Sequence, residues 1–405
     1  MAKPQEETAD AEKPSVVLNT YYDNGKVLVL DDVFGAELER NGFASLPTNP
    51  IVTPNGNPLT ARAATNLAIV DTPDKRIIGI YRGYGTSIGD ILKEKPFEKG
   101  KIQRFKKKTP EGVSRPFPLW FEPDDVTPIT PIPTKPIIDT NNRLLRREAM
   151  GGIEDGRLAS YCLGYFNPFV RARMPNSRGT KYSLGGAILD HNLTPIEIFS
   201  LKGLPHFMKD PVPENYDGHI HVMSVRPSPP SSVESRPSYR GYYSKHPGIW
   251  IATSHNLKTW DVMGEVLRPL EDEDKIGDGT PSVDETETLG GKLKYIHGVT
   301  GENTPRRNYS GRAVLFQSDD PTTPISMTDN FLCPTEPHEM NDELAIDHVF
   351  PMGTIKRKVE IRGRVYDAHI VSAGTGDTSS SLYIVLINYL ANNLKPINSF
   401  KFAGN

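Results

Sequence analysis

The chain lacks most of the features that would place a protein in a class at once. Only two cysteines occur in 405 residues, Cys162 and Cys333. Two thiols cannot form the disulfide framework of a secreted scaffold of this length. Both sit among apolar or small neighbours (Tyr-Cys-Leu and Leu-Cys-Pro), which reads as buried free thiols. No apolar run approaches the roughly 18 residues that a membrane helix needs. Residues 1–14 are polar and charged, without the apolar stretch of a secretory signal. A cytoplasmic, reducing location without membrane attachment is therefore expected. Charge of one sign is missing too: 47 basic and 50 acidic residues leave a net charge of −3. Without a basic field, nucleic acid is not an expected partner, and any charge that receives an anion must be local. Helical periodicity is scarce, with residues 31–40 (DDVFGAELER) the best short helix.

Proline and glycine are abundant, at 36 and 34 residues, and they punctuate short apolar runs. The runs at 26–30, 67–70, 77–81, 159–165, 187–189, 219–225, 248–253, 293–297, 313–317, 369–373 and 382–387 read as strands, several of them rich in β-branched residues. Many short strands at near-regular spacing indicate an all-β sandwich, barrel or propeller. A strand, a polar turn and an aromatic at 249–260 are echoed loosely at 182–193 and 313–321, which favours the propeller. Residues 1–14 are expected to be a flexible polar tail and 15–405 a single domain. Two surface loop insertions interrupt that domain. Residues 98–145 carry Lys106, Lys107 and Lys108 followed by dense proline, which suits an extended excursion. Residues 227–247 combine proline and serine with Tyr239, Tyr242 and Tyr243, either a linker or a rim whose rings stack on sugars.

Several motif-like segments lead nowhere. The glycines of residues 83–89 lack the Lys-Ser/Thr ending of a phosphate loop and the spacing of a dinucleotide loop, so a turn is the plainer reading. His219 and His221 share one strand face, but no third metal ligand is evident, and no metal is expected. No Gly-x-Ser-x-Gly elbow is present.

The informative segments form a series. Asn66 precedes Gly-Ile-Tyr-Arg at 79–82. Gly-Gly-Ile-Glu-Asp-Gly-Arg-Leu follows at 151–158, then Met-Lys-Asp at 208–210 with Ser-Val-Arg-Pro at 224–227. Lys-Ile-Gly-Asp-Gly-Thr-Pro at 275–281, Tyr-Ile-His-Gly at 295–298, Asp-His-Val-Phe-Pro at 347–351 and Ala-Gly-Thr-Gly-Asp-Thr at 373–378 complete it. This order resembles glycoside hydrolase family 130, the five-bladed β-propeller mannoside phosphorylases and β-mannosidases, and the related leishmanial mannosyltransferase-phosphorylases. The resemblance runs from about Asn66 to Asp377. It departs from the family at Asp155-Gly156-Arg157, where Asp-Pro-Arg is usual, and at Lys209-Asp210, where a cation is usually followed by Asn.

The resemblance implies a set of roles. Asp155 is the general acid. Arg226, Lys275 and His297, with help from Lys209, hold phosphate. Asn66, Arg82, Asp210 and Asp377 bind sugar or line the pocket, whereas Asp347 is structural. A hydrolase uses two carboxyl groups, one as acid and one to activate water or attack. A phosphorylase needs one, because phosphate attacks, and the protein must then hold a dianion with charge-assisted hydrogen bonds. An inverting phosphorylase of β-mannosides or oligomannosides is thus implied, using phosphate as co-substrate and no cofactor. Its partners are an oligosaccharide and phosphate or mannose 1-phosphate. A β-mannosyltransferase using GDP-mannose, a β-mannoside hydrolase with Glu154, Asp210 or Asp278 as base, and a non-catalytic carbohydrate-binding propeller remain open, as does the oligomeric state, a homo-oligomer included.

Overall fold

The computed structural model describes residues 27–54, 60, 63–72, 76–84, 114–122, 126–130, 132, 135–139, 152–161, 164–176, 179–215, 220–228, 246–302, 304–342 and 344–404. The expected polar tail, most of both insertions with their lysines and tyrosines, the turn beyond Tyr84, Cys162 and His219 lie outside these residues.

The architecture is all-β, with strands arranged as successive antiparallel groups. The first group is Ala63–Asp71, Ile77–Tyr84 and Arg115–Trp120. The second places Gly164–Asn176 between Gly179–Leu189 and the short strands Gly152–Glu154 and Ala159–Tyr161, with Pro195–Ser200 at the outer edge. The third runs Met208–Asn215, His221–Pro227, Ile249–Ser254 and Asp261–Leu267 in order. The remaining ladders belong to one twelve-stranded sheet. A three-residue parallel ladder between Arg307–Tyr309 and Ile346–His348 creates that union. It joins a group built on Lys275–Asp278, Gly291–Thr300 and Arg307–Gln317 to one built on Ile346–Ile361, Arg364–Thr375 and Ser379–Leu386. The outermost strand of the last group, Phe43–Ser45, comes from the other end of the chain and pairs with Ser379–Leu386.

Apolar cores lie between consecutive groups. Ile78 and Ile80 pack with Ile153 and Phe169. Phe166 and Val170 pack with Met208, Met223 and Trp260. Ile249 and Leu267 meet Ile276 and Ile296, and Leu293 and Tyr295 meet Val349 and Val371. The last group then packs on the first through Ile355, Ile370 and Ile384 against Leu67, Ile69 and Phe117. Backbone contacts seal that join, with Ala64 N donating to Thr378 O at 2.8 Å.

The runs read as strands in the described part of the sequence coincide with strands, although Leu30, Ile220 and Gly248 lie just outside them and two runs differ more. The run at 159–165 is divided between Ala159–Tyr161 and its antiparallel partner Gly164–Asn176. Ile387 starts the helix Ile387–Asn393 rather than ending a strand. The predicted helix is present as Asp32–Asn41. Asp31 caps it by accepting from Val33 N at 3.0 Å and Phe34 N at 2.9 Å, and Gly42 ends it in the left-handed conformation at φ 77°.

The strand Ile346–Ile361 was not legible in the sequence. Its outer half, Ile355 to Ile361, alternates buried and half-buried residues with a period of two, as one covered face requires. From His348 to Ile355 it is buried continuously, because neighbouring groups cover both faces near the centre. Among the described residues no helix is long and apolar enough to cross a membrane.

Candidate active site

Backbone geometry marks the site before any side chain is considered. Asn66, Asp155, Asp210 and Asp377 all have positive φ, at 58°, 52°, 50° and 56°. Asn and Asp are among the few non-glycine residues that tolerate this region, and left-handed residues often collect where a side chain must be aimed. Asn66 sits in a break of register between Thr65 and Ala68, and Asp210 in one between Lys209 and Val212. Such bulges turn a side chain out of the ladder. Gly374 lets Asn66 approach: a Cβ there would lie 2.2 Å from Asn66 Oδ1.

One side of the site is built around Asp155. Its Oδ1 accepts from Asn66 Nδ2 at 3.2 Å and lies 3.7 Å from Arg82 Nη1. Arg82 reaches Glu154 Oε1 at 3.1 Å and donates from Nε to Ser114 Oγ at 2.9 Å. Burial disfavours the Arg82 charge, but Glu154, Asp155 and Asp377 outweigh it and hold the guanidinium above its usual range. Asp377 is raised to about 6, first by burial and then by Asp155 and Glu154, against the pull of Arg82 and Lys209. Its N–H donates to His348 Nδ1 at 3.3 Å. His348 is lowered to about 3 by burial and by Arg82, so it is a neutral imidazole at physiological pH.

Glycine in place of proline at position 156 does not leave the acid loose. Arg157 clamps the turn instead, donating from Nε to Gly279 O at 2.6 Å and from Nη1 to Asp155 O at 3.2 Å. Its guanidinium lies over the Phe350 ring at 5.1 Å. Asn167 Nδ2 in turn donates to Arg157 O at 2.6 Å. Arg157 is fully buried, so the acid is tied across the centre to the strand Lys275–Asp278 and its following turn.

The other side gathers cations. Arg226 Nε donates to Asp210 Oδ2 at 2.7 Å. This pairing answers how an aspartate can stand in a cationic pocket: it balances one arginine. His297 Nε2 lies 3.9 Å from the same oxygen. Gly277, opposite His297 in the ladder, makes room for both, since a Cβ there would lie 2.4 Å from each of Asp210 Oδ2 and His297 Cε1. His297 packs on Phe350 with ring centroids 4.1 Å apart. Burial, then Arg226 and Arg157, keep it well below its usual pKa and neutral. Its buried Nδ1 has no hydrogen-bond partner among the described residues. Lys275 is lowered to about 8, by burial first and then by Arg226, and it pairs with Glu302.

Lys209 departs from expectation. It is in register with Arg226, yet its Nζ lies 3.7 Å from Glu154 Oε2 and 4.2 Å from the centre of the Tyr182 ring. The Glu154 charge holds its ammonium on the Asp155 side. The two sides still share one field, because Arg226 is raised by Asp155 as well as by Asp210. The three carboxylates considered as a water-activating base are each held by cations: Glu154 by Arg82 and Lys209, Asp210 by Arg226, and Asp278 by Lys294. Asp347 accepts from Arg306 Nε at 2.7 Å outside the pocket, in keeping with a structural part.

Sequence reading passed over Arg157, His348, Phe350, Glu302 and Arg307. The first three lie within quoted motifs, and only packing across the centre distinguishes them. Glu302 lies in an ordinary-looking turn, and Arg307 opens the strand that follows it. Among the described residues no group of three or more His, Cys, Asp or Glu is placed to hold a metal ion.

No family model matches the sequence, and no curated protein does. Solved structures do match. A glycosyl hydrolase from Bacteroides ovatus is similar at 16% identity over 85% of this chain and 93% of that one, with a TM-score of 0.56. The β-1,2-mannobiose phosphorylase from Listeria innocua, solved with β-1,2-mannobiose, is similar at 19% identity over 86% of this chain and 98% of that one, with a TM-score of 0.62. The fold of this chain is therefore the one on which that phosphorylase is built, in agreement with the sequence resemblance to glycoside hydrolase family 130.

Proposed function

We propose that the protein is an inverting glycoside phosphorylase that transfers mannose between a β-mannoside or oligomannoside and inorganic phosphate. One observation carries this reading. A buried arginine, a lysine whose pKa burial lowers to about 8 and a neutral histidine with a bare ring nitrogen share a pocket with Asp155, while the other candidate carboxylates are held by cations. Such a pocket suits an anionic nucleophile better than water.

In the proposed reaction, a phosphate oxygen bonds to the anomeric carbon from one face. The glycosidic C–O bond breaks on the other, and the Asp155 proton passes to the leaving oxygen, directly or through a sugar hydroxyl. Inversion yields α-mannose 1-phosphate, and the proton carried in by phosphate restores the acid. Asn66 and Arg82 orient the Asp155 carboxyl, Arg157 fixes its backbone, and Asp377 binds the sugar. Arg226, Lys275 and His297 hold phosphate. Run in reverse, the same site extends a mannan chain, which makes the enzyme a glycosyltransferase by class. The five core clusters that link the strand groups end to end support five blades closed into one ring by Phe43–Ser45.

The test is a product assay on β-linked mannobioses with and without phosphate, comparing the natural enzyme with Asp155→Asn. Mannose 1-phosphate that depends on phosphate, and falls by about 10²–10⁴ in the variant, supports the proposal. Free mannose regardless of phosphate identifies a hydrolase. No product from any mannobiose turns attention to GDP-mannose as donor and to a transferase.

A further inference from the structure

The cationic side of the pocket contains an anion that the proposed reaction does not use. Glu302 lies on the turn between Gly291–Thr300 and Arg307–Gln317 and pairs with Lys275. Burial works against its charge, but Lys275, Arg307 and Arg226 together hold its carboxyl below the usual range. Lys275 touches this carboxylate, and Arg307 and Arg226 act on it through their charge. Arg307 also bonds to Tyr309 and senses Asp377, so it stands where the anion side meets the sugar side.

The charges around Glu302 do not otherwise balance. Asp210 balances Arg226. Lys275 and Arg307 remain, and their repulsion is part of what lowers Lys275. A single carboxylate offers one negative charge and a phosphate dianion offers two, with more acceptor oxygens.

The turn is built to present that carboxylate. The Glu302 N–H donates to Asp274 Oδ2 at 2.8 Å, and Thr304 N donates to Gly301 O at 3.0 Å. Thr304 Oγ1 donates to Arg306 O at 2.6 Å, and Arg306 is anchored through Nε on Asp347 at 2.7 Å. The backbone is thus pinned at several points. The side chain is about a third exposed, at 35%, so it can swing to solvent without unfolding the turn.

We infer that Glu302 is a tethered stand-in for the co-substrate: in the empty site its carboxylate neutralises Lys275 and Arg307, and a dianion must displace it to bind. This rests on the phosphorylase reading. Two consequences follow from the charge count. A monoanion, which brings no more charge than Glu302, does not displace it, so the residue selects for dianions. Between turnovers it also keeps Lys275 and Arg307 from repelling one another across an empty pocket.

The experiment measures binding of inorganic phosphate by titration calorimetry, which requires no turnover, to the natural protein, Glu302→Gln and Glu302→Asp. Circular dichroism checks that each variant folds. The expected result is phosphate binding about fivefold tighter in Glu302→Gln, from loss of one competing ion pair, with Glu302→Asp near the natural value. Formate should compete measurably only in Glu302→Gln. Unchanged or weaker phosphate binding in Glu302→Gln, beside a natural protein that does bind phosphate, overturns this inference and leaves the phosphorylase reading standing. If neither protein binds phosphate and Glu302→Gln stops release of free mannose, then Glu302 is the base of a hydrolase, and both readings fail.

Discussion

Arg312 and Arg226 are both buried arginines on central strands, and both meet a carboxylate, but they finish the encounter differently. Arg312 closes a two-pronged fork, with Nη1 on Glu273 Oε1 at 2.6 Å and Nη2 on Oε2 at 2.7 Å. A third bond runs from Nη1 to Asn330 Oδ1, and the two ionic side chains are 0% and 1% exposed. Arg226 spends Nε on Asp210, and its terminal nitrogens make no hydrogen bond among the described residues. The first arrangement occupies both terminal nitrogens, leaving only the buried Nε without a partner among the described residues, and holds the turn before Lys275–Asp278 against the strand Arg307–Gln317. The second is unfinished, and donors left over in a buried pocket are what an anionic ligand can complete. Lys294, closed by Asp278 and Glu214, belongs with Arg312. Charge alone does not mark the site here; the terminal donors that Arg226 keeps free do.

The comparison breaks most visibly under mutation of the two arginines. Arg312→Gln leaves Glu273 buried without its partner and should cost about 3–5 kcal/mol of stability. Chemical denaturation reads that loss, while turnover per folded molecule stays near the natural value. Arg226→Gln likewise leaves a buried carboxylate, Asp210, without its cation and should also lower stability. Activity separates the two: a loss of kcat/KM for phosphate of about 100-fold per folded molecule, equal to roughly 2.7 kcal/mol, is expected only for Arg226→Gln. Equal losses of turnover per folded molecule in the two variants would erase the distinction.

A pH profile sharpens it further. Lys275 is lowered to about 8, so it is charged below that pH and neutral above it. Phosphate affinity should therefore fall as pH rises through about 8, and Lys275→Arg, whose charge persists, should flatten that limb. Titrations of phosphate from pH 6.5 to 9.5 measure both.

The smallest effect concerns Asp377. Its folded pKa, about 6, is raised above the ordinary value of 3.8. Below pH 4 the carboxyl is protonated in both folded and unfolded chains. Between 4 and 6 only the unfolded chain ionises, and above 6 both do. The favourable contribution is thus lost as pH rises through 6, and the ionised group is a cost at neutral pH. Asp377→Asn should raise Tm by a few degrees at pH 7, with the gain shrinking toward pH 4, while activity falls. Thermal scans at the two pH values decide the point.

Much of the fold was legible because strands announce themselves locally. Residues 313–317 and 369–373 are compact β-branched or apolar runs, and both fall inside observed strands. The strand Ile346–Ile361 was not legible, because Lys356, Arg357 and Lys358 read as surface. Arg357 is in fact buried on Asp71 of the first group, with Nη1 3.0 Å from Oδ2. That contact spans 286 positions of sequence, and no local pattern contains it. The same limit explains the site. Asp155 stood out as an acid in a glycine-rich turn, but its partner Asn66 is 89 residues away, and its clamp from Arg157 reaches Gly279 at a separation of 122. Which way Lys209 faces depends on its contact with Glu154, 55 positions away in the sequence, and no local pattern shows it.

The sequence by itself determined that the chain would be built of short strands broken by glycine and proline, and which acids, cations and histidines would be available near their ends. Period-two alternation and turn chemistry act over a few residues, so they can be read from a few residues. The tertiary structure decided which donors are closed by a carboxylate and which stay free for a ligand. Arg226 and Arg312 are chemically identical in the sequence. Only the meeting of distant strands gives one a closed fork and the other an open pocket, because the free energy of a buried charge depends on every group brought near it.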